Sequence, residues 1–198
     1  LWEVDAARTL GIVMMVIYHV GWDVSTLAPS TGVDAFSGPW RALQVATGTS
    51  FLLLVGLSFT IAPSRAEARN VPAREIVLRR VRRAGVVLLM GLVVTVATYF
   101  ALGDDYIRFG ILQVIGVSML LAIPAARLSV ATVPLGLAMI VAGLWLEGER
   151  WSTGLLAFVG FRPEQGSLGV DYYPLLPWFG VVLLGMAAGR VLYPGGNR

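Results

Sequence analysis

Long apolar runs separated by short polar connections organise this chain. Six of them approach the roughly 20 residues that an α-helix needs to cross a hydrocarbon core of about 30 Å. They lie near Leu10–Leu27, Ala42–Ala62, Ala84–Leu102, Phe109–Ala126, Leu128–Leu146 and Tyr172–Gly189. The pattern predicts an all-α polytopic membrane helix bundle with about six transmembrane helices, in a single domain over residues 1–198. The first run is interrupted by His19 and Asp23. Thr153 to Phe161 is apolar but too short to span, which fits an interfacial or re-entrant piece. No small-residue cleavage motif follows the first run, so a cleaved signal peptide is not expected. The missing initiator methionine suggests an edited terminus.

Composition agrees with a membrane protein. Hydrophobic residues make up 57% of the chain and charged residues 14%, with a mean hydropathy of +0.76. Soluble domains carry about 25% charged residues. Cysteine is absent, which removes disulfides and thiolate chemistry. With a single histidine, no metal site is expected. All 15 basic residues are arginine, read mainly as genomic composition bias, and nothing resembles a nucleic-acid surface.

The placement of charge predicts orientation, because arginine-rich connections stay in the cytoplasm. Between Pro63 and Ala84 stand Arg65, Arg69, Arg74, Arg79, Arg80, Arg82 and Arg83, against only Glu67 and Glu75. The alternate connections, near Asp34, Asp104 and Glu164, are comparatively acidic. Both termini are therefore expected to face the cytoplasm of a bacterial or archaeal cell membrane, and those acidic connections to face outward.

Candidate chemistry starts at His19, the only histidine, with Asp23 one helical turn further on. An ionisable side chain inside a span is costly and is by default a functional candidate. A carboxylate on one imidazole nitrogen would fix the tautomer and let the ring act as a general base. The plainer reading is a histidine packed between helices and bonded to a backbone carbonyl. Leu78-Arg79-Arg80-Val81-Arg82-Arg83 holds two overlapping Arg-x-x-Arg pairs that can fork a phosphate. On charge alone, a snorkelling positive-inside anchor explains them better. At the outer ends of the spans, Trp40-Arg41, Arg108, Gln113 and Asp171-Tyr172 can line an outward cleft. Aromatic residues there are also ordinary interfacial anchors. Small residues at Gly48-Thr49-Ser50, Gly85, Gly91 and Gly185–Gly189 fit close helix packing.

Together these residues resemble the membrane acyltransferase superfamily. Asp5-x-x-Arg8, an apolar run and Tyr18-His19 are similar to its first span. Ile107-Arg108-Phe109-Gly110-Ile111-Leu112-Gln113 resembles a span of the heparan-α-glucosaminide N-acetyltransferase-like family. So do Gly48-Thr49-Ser50-Phe51 with Val55-Gly56-Leu57-Ser58, and Leu184-Gly185-Met186-Ala187-Ala188-Gly189. The resemblance implies acyl transfer from cytoplasmic acetyl-CoA, or another acyl-CoA, to an extracytoplasmic glycan or amino-sugar acceptor. In acyltransferase-3 enzymes a histidine matching His19 is catalytic, and a pair matching Arg79–Arg82 or Arg80–Arg83 lies by the CoA. Arg8 would join that donor site, with Asp23 supporting His19. Arg41, Arg108, Gln113, Asp171 and Tyr172 would meet the acceptor.

Two departures stand against a simple transfer of roles. Heparan-type members carry asparagine at the position of His19 and a histidine in the following outer loop, whereas Ser25 to Trp40 contains none. Either catalysis follows the acyltransferase-3 pattern or the heparan-type activity is lost. Six spans are also fewer than the larger members have, so a minimal core, a partner subunit and a homo-oligomer all stay open. The competing reading is a small permease or channel subunit with a His19–Asp23 proton relay. A non-catalytic membrane scaffold is the third. The absence of an internal repeat weighs against a transporter.

Overall fold

The computed structural model describes residues 1–67, 71–152 and 154–194. The side chains of Arg65, Glu67 and Arg69, counted above toward orientation, lie outside the described residues, as does Thr153 at the start of the short apolar piece. Among the described residues six α-helices carry the fold: α1 (Trp2–Leu27), α2 (Gly38–Glu67), α3 (Ala73–Leu102), α4 (Ile111–Ala125), α5 (Thr132–Leu146) and α6 (Leu175–Leu192). The only described strands are two parallel two-residue pieces, Arg150–Trp151 against Arg162–Pro163. The chain divides into two compact units, Leu1–Leu54 and Val55–Arg198, and α2 contributes to both.

Among the described residues five helical segments are long and apolar enough to cross a membrane: Trp2–Leu27, Gly38–Ile61, Ala73–Asp105, Ile111–Leu146 and Leu175–Leu192. The protein is an all-α, integral membrane protein. The fourth segment contains two of the six expected spans. It breaks in the 3₁₀ turn Ala126–Ala131, where Ser129 takes φ 46° and ψ −117°. α4 runs alongside α6 in the same direction: its start is tied to the start of α6 (Tyr173 N to Phe109 O, 3.0 Å) and its end to Arg190 near the end of α6. α5 runs the other way along α6, with Gly136 against Gly180 and Gly143 against Pro177. The segment therefore doubles back around α6.

Two helices begin well before the apolar runs that predicted them, α1 at Trp2 and α3 at Ala73. Hydropathy marks only the part of a helix that suits lipid. The polar turns before it are satisfied by the same i→i−4 bonds and simply stand outside the hydrocarbon.

In the first unit α1 and α2 are antiparallel, since Gly21 faces the Trp40 ring and Gly11 faces Phe51. A Cβ at Gly21 would lie 2.7 Å from the Trp40 Cη2, so any larger residue there would force the indole to move. Buried Val4, Gly11 and Tyr18 recur every seventh residue and form the contact stripe of α1. Hydroxyls within these spans fold back onto carbonyls one turn earlier, as Thr47 does on Leu43 at 2.7 Å and Ser50 on Ala46 at 2.8 Å. That removes the cost of an unbonded hydroxyl in lipid.

In the second unit α6 is the central helix, with Val182, Leu183 and Met186 fully buried. Gly56 of α2 presses against the Val182 carbonyl, and Gly189 sits on Thr60 and Leu57. α3 pairs with α4 through Gly91 and Gly116, which admit Gln113 and Leu88. Gly85 has open space around it, so of the small residues expected at contacts it is not one.

Candidate functional site

His19 lies on an exposed face of α1, edge-on to the Tyr18 ring. Its Nδ1 is 2.8 Å from the Met15 carbonyl oxygen. A carbonyl only accepts, so this bond puts a proton on Nδ1, and in the tautomer protonated there alone Nε2 carries the lone pair. The spacing of His19 and Asp23 suits an i,i+4 pair, yet they form no hydrogen bond with each other. Met15, one turn back, fixes the tautomer instead. Asp23 is exposed near the C-terminal end of α1. Also in this unit, Arg8 is bonded to Asp5 at 2.9 Å, and Arg41 donates to Gln44 Oε1 at 2.6 Å, holding that buried amide. Asp34, in the connection after α1, accepts the Phe36 N–H at 2.9 Å, and this bond holds its carboxyl below the usual carboxylate range.

The arginine cluster occupies the first turns of α3, and its members do different work. Arg80 donates to the Phe59 carbonyl at 2.8 Å, and its guanidinium lies 3.7 Å from the centre of the Phe59 ring. It is a tie between α2 and α3. Arg79 pairs with Glu75 at 2.5 Å. Arg82 and Arg83 are exposed and form no ion pair with any described residue. Of the four arginines expected to fork a phosphate, Arg82 and Arg83 are thus the two without an ion pair or packing role among the described residues.

The other end of α3 meets a polar cap. Thr98 Oγ1 accepts the Ile107 N–H at 3.1 Å, and the Val170 N–H donates to the Asp105 carbonyl at 3.1 Å. Asp171 accepts the Ile111 N–H at 3.0 Å, at the start of α4. Gln113 is fully engaged: Oε1 accepts from Gly110 N at 2.9 Å, while Nε2 donates to the Gly91 carbonyl at 3.0 Å and Thr95 Oγ1 at 2.8 Å. Tyr172 donates to the Ala157 carbonyl at 2.7 Å, and burial pushes its phenol up to about 12. These bonds tie Gln113, Asp171 and Tyr172, three of the residues expected to meet an acceptor, into the cap.

The short apolar piece is a series of turns rather than a helix. Its Phe158 and Val159 carbonyls accept the Leu175 and Leu176 N–H groups at 2.8 Å each, supplying the partners that a helix start lacks. Arg162 closes the loop from outside by pairing with Glu147 at 2.7 Å.

Arg108 stands at the mouth of this cap. Its guanidinium lies 4.2 Å from the centre of the Tyr106 ring, and its Nη1 donates to the Ser167 carbonyl. It lines a cavity of about 420 Å³ together with Ser152, Glu164, Gln165 and Ser167. Sequence reasoning reached Arg108 but not its companions. Their hydroxyl, amide and carboxylate groups carry no spacing signal, and Ser167 holds Arg108 through its backbone. Arg82 and Thr98 are 16 residues apart on α3, about 24 Å along its axis, so the arginine cluster and the Arg108 cavity lie at opposite ends of one spanning helix. No cluster of three or more potential metal-ligating residues occurs among the described residues.

The fold is thus that of a polytopic helical membrane protein with a basic face at one end of α3 and a polar cavity at the other. A family model described as heparan-alpha-glucosaminide N-acetyltransferase, catalytic, matches residues 1–198, and the chain belongs to that family of membrane acyltransferases. Comparison with the curated proteins and with the solved structures gave no match.

Proposed function

We propose that this protein is an N-acetyltransferase that moves an acetyl group from cytoplasmic acetyl-CoA to an amino-sugar acceptor on the other side of the membrane. The observation that carries this reading is the match of the whole chain to the catalytic family. Two features of the structure support it. Exposed Arg82 and Arg83 present forks for the CoA phosphates at the arginine-rich end of α3, which the positive-inside rule assigns to the cytoplasm. The polar cavity at the far end of the same helix suits a hydrophilic acceptor.

In the proposed chemistry the acceptor amine attacks the thioester carbonyl carbon. The C–S bond breaks, the CoA thiolate leaves and takes up a proton, and the nitrogen sheds one. His19 Nε2 receives the proton from nitrogen, its ring held by the Met15 carbonyl. The same lone pair would carry the acetyl group if transfer ran in two steps, which ping-pong kinetics would reveal. Both termini lie on the cytoplasmic side in this proposal. The acceptor binds at the polar cap beyond α3 through Arg108.

The test is transfer of labelled acetyl from acetyl-CoA to glucosamine by the detergent-purified protein, with calorimetric binding of acetyl-CoA alongside. Arg82→Ala/Arg83→Ala is expected to weaken acetyl-CoA binding at least tenfold, by loss of charged hydrogen bonds of about 1.5–3 kcal/mol each. His19→Ala is expected to retain binding and lose turnover. Folded protein that binds no acetyl-CoA would overturn the reading.

A further inference from the structure

One carbonyl of α2 is deprived of its helical partner by the sequence itself. α2 continues past Phe59 to Glu67, and the residue four places after Phe59 is Pro63, which has no backbone N–H. The Phe59 carbonyl therefore lacks the i→i−4 donor that an interior carbonyl of an α-helix ordinarily receives. Phe59 lies close to the end of the candidate span Gly38–Ile61, where an unpaired carbonyl is costly. α3 supplies a donor in its place. Arg80 Nη2 donates to the Phe59 oxygen at 2.8 Å, while its guanidinium carbon lies 3.7 Å from the centre of the buried Phe59 ring. A planar group that donates from its edge and stacks on its face serves both ends of one residue at once, which lysine cannot do.

Exposure separates Arg80 from its neighbours in the same way. Arg80 is half-buried, whereas Arg79, Arg82 and Arg83 are exposed. Successive residues of a helix stand about 100° apart, so turning Arg80 onto α2 carries Arg82 to the far side of α3, about 160° round. The contacts of α3 with α4 start one turn later, where Gly116 lies against the Ala84 carbonyl and Leu88. The turns that carry the arginines precede that contact, and Arg80 fastens them to α2.

We propose that Arg80 is a positioning residue: it fills the gap that Pro63 leaves in α2, and by doing so fixes the rotation of the first turns of α3 that present Arg82 and Arg83. The bridge itself needs no acetyl transfer. Its bearing on the donor site rests on the acetyltransferase reading, and the two are tested by separate measurements.

The first measurement is a double-mutant cycle of thermal unfolding on the full detergent-purified chain, with Arg80→Met, Pro63→Ala and the pair. Arg80→Met alone leaves the Phe59 carbonyl unpaired and is expected to lower the unfolding midpoint by about 4 °C or more. In the Pro63→Ala background the new N–H takes that carbonyl, so the same change is expected to cost less than half as much. An equal drop in both backgrounds would overturn the proposal. If Arg80→Met does not fold alone, recovery of folded protein in the double variant is the expected result, and failure of both overturns it. The second measurement is calorimetric binding of acetyl-CoA. Phe59→Leu, which removes no charge, and Arg80→Met are each expected to weaken it about threefold or more, and the pair no further than the larger single effect, as for coupled neighbours. Loss in Arg80→Met with Phe59→Leu within twofold of the natural chain would make Arg80 a direct ligand of the donor and overturn the proposal. A natural chain that binds no acetyl-CoA but shows the unfolding coupling would leave the bridge standing and count against the acetyltransferase reading alone.

Discussion

The Asp171 carboxylate accepts the backbone N–H of Ile111 at 3.0 Å, across 60 residues of chain. One side chain from the segment before α6 thereby caps the start of α4, where unpaired N–H groups and the positive end of the helix dipole both favour an anion.

Removing that cap should be measurable. Asp171→Ala is expected to cost about 0.5–2 kcal/mol and Asp171→Asn less, because the amide oxygen can still accept the Ile111 N–H. Thermal unfolding in one detergent, read for both variants, checks the order. Equal loss in the two would mean that the carboxylate's charge and not its bond does the holding.

At the opposite end of α6, Arg190 gathers the turn that reverses the chain. It donates to the Ala126 carbonyl at 3.0 Å, the Ser129 carbonyl at 2.7 Å and Thr132 Oγ1 at 3.0 Å. Arg190→Met keeps the aliphatic stem and removes these bonds, with an expected cost of about 1.5–3 kcal/mol. Ser129→Gly should act in the other direction, since only glycine adopts φ 46° with ψ −117° freely, and the relief is about 1 kcal/mol. Unfolding midpoints of the two single variants, moving apart, are the expected result.

Tyr172 makes stability depend on alkaline pH. Its phenol is raised from 10.0 to about 12 by burial, with Arg162 opposing. Between those values the unfolded chain has released this proton and the folded chain has not, so the unfolded state binds fewer protons and stability falls as pH rises. The contribution is intact below pH 10 and is lost progressively up to about pH 12. Tyr172→Phe should abolish that alkaline step while losing the bond to Ala157, about 0.5–1.5 kcal/mol at neutral pH. An unchanged alkaline profile in Tyr172→Phe would rule this out.

Two glycines of the same apparent kind should respond oppositely to alanine. Gly189 lies on Thr60 and on the Leu57 carbonyl, 3.0 Å from where a Cβ would stand, so Gly189→Ala forces α2 and α6 apart. Gly85 meets nothing within 4 Å, and Gly85→Ala should gain up to about 1 kcal/mol of helix propensity. Parallel expression and unfolding of both variants is the check.

Much of this architecture was legible in the order of apolar runs. The break between the fourth and fifth runs fell between Ala126 and Leu128, within the 3₁₀ turn that reverses the chain. Gln113 stood out as a polar group that needs partners near lipid, and it has three. What periodicity cannot supply is which partner wins. His19 and Asp23 have suitable spacing, but the Met15 carbonyl is also one turn away and belongs to the backbone, so no residue type announces it. Four neighbouring arginines look equivalent in sequence. Only the packing of α3 on α2 separates Arg80, bound to Phe59, from exposed Arg82 and Arg83. Arg190 and Ser129 escaped notice for the same reason, since that contact is made to carbonyls.

The reversal at Ser129 leaves α4 and α5 with 15 residues each, about 22 Å of helix apiece. A hydrocarbon core of about 30 Å is thicker than that, and short spans are accommodated by thinning the lipid beside them. The outward faces here are apolar, with Leu137, Val141, Leu144 and Trp145 of α5 exposed, so lipid must follow the protein rather than the reverse. A bilayer around this flank is expected to thin to meet it. Membranes of short-chain lipids are therefore expected to match these two helices better than thick ones.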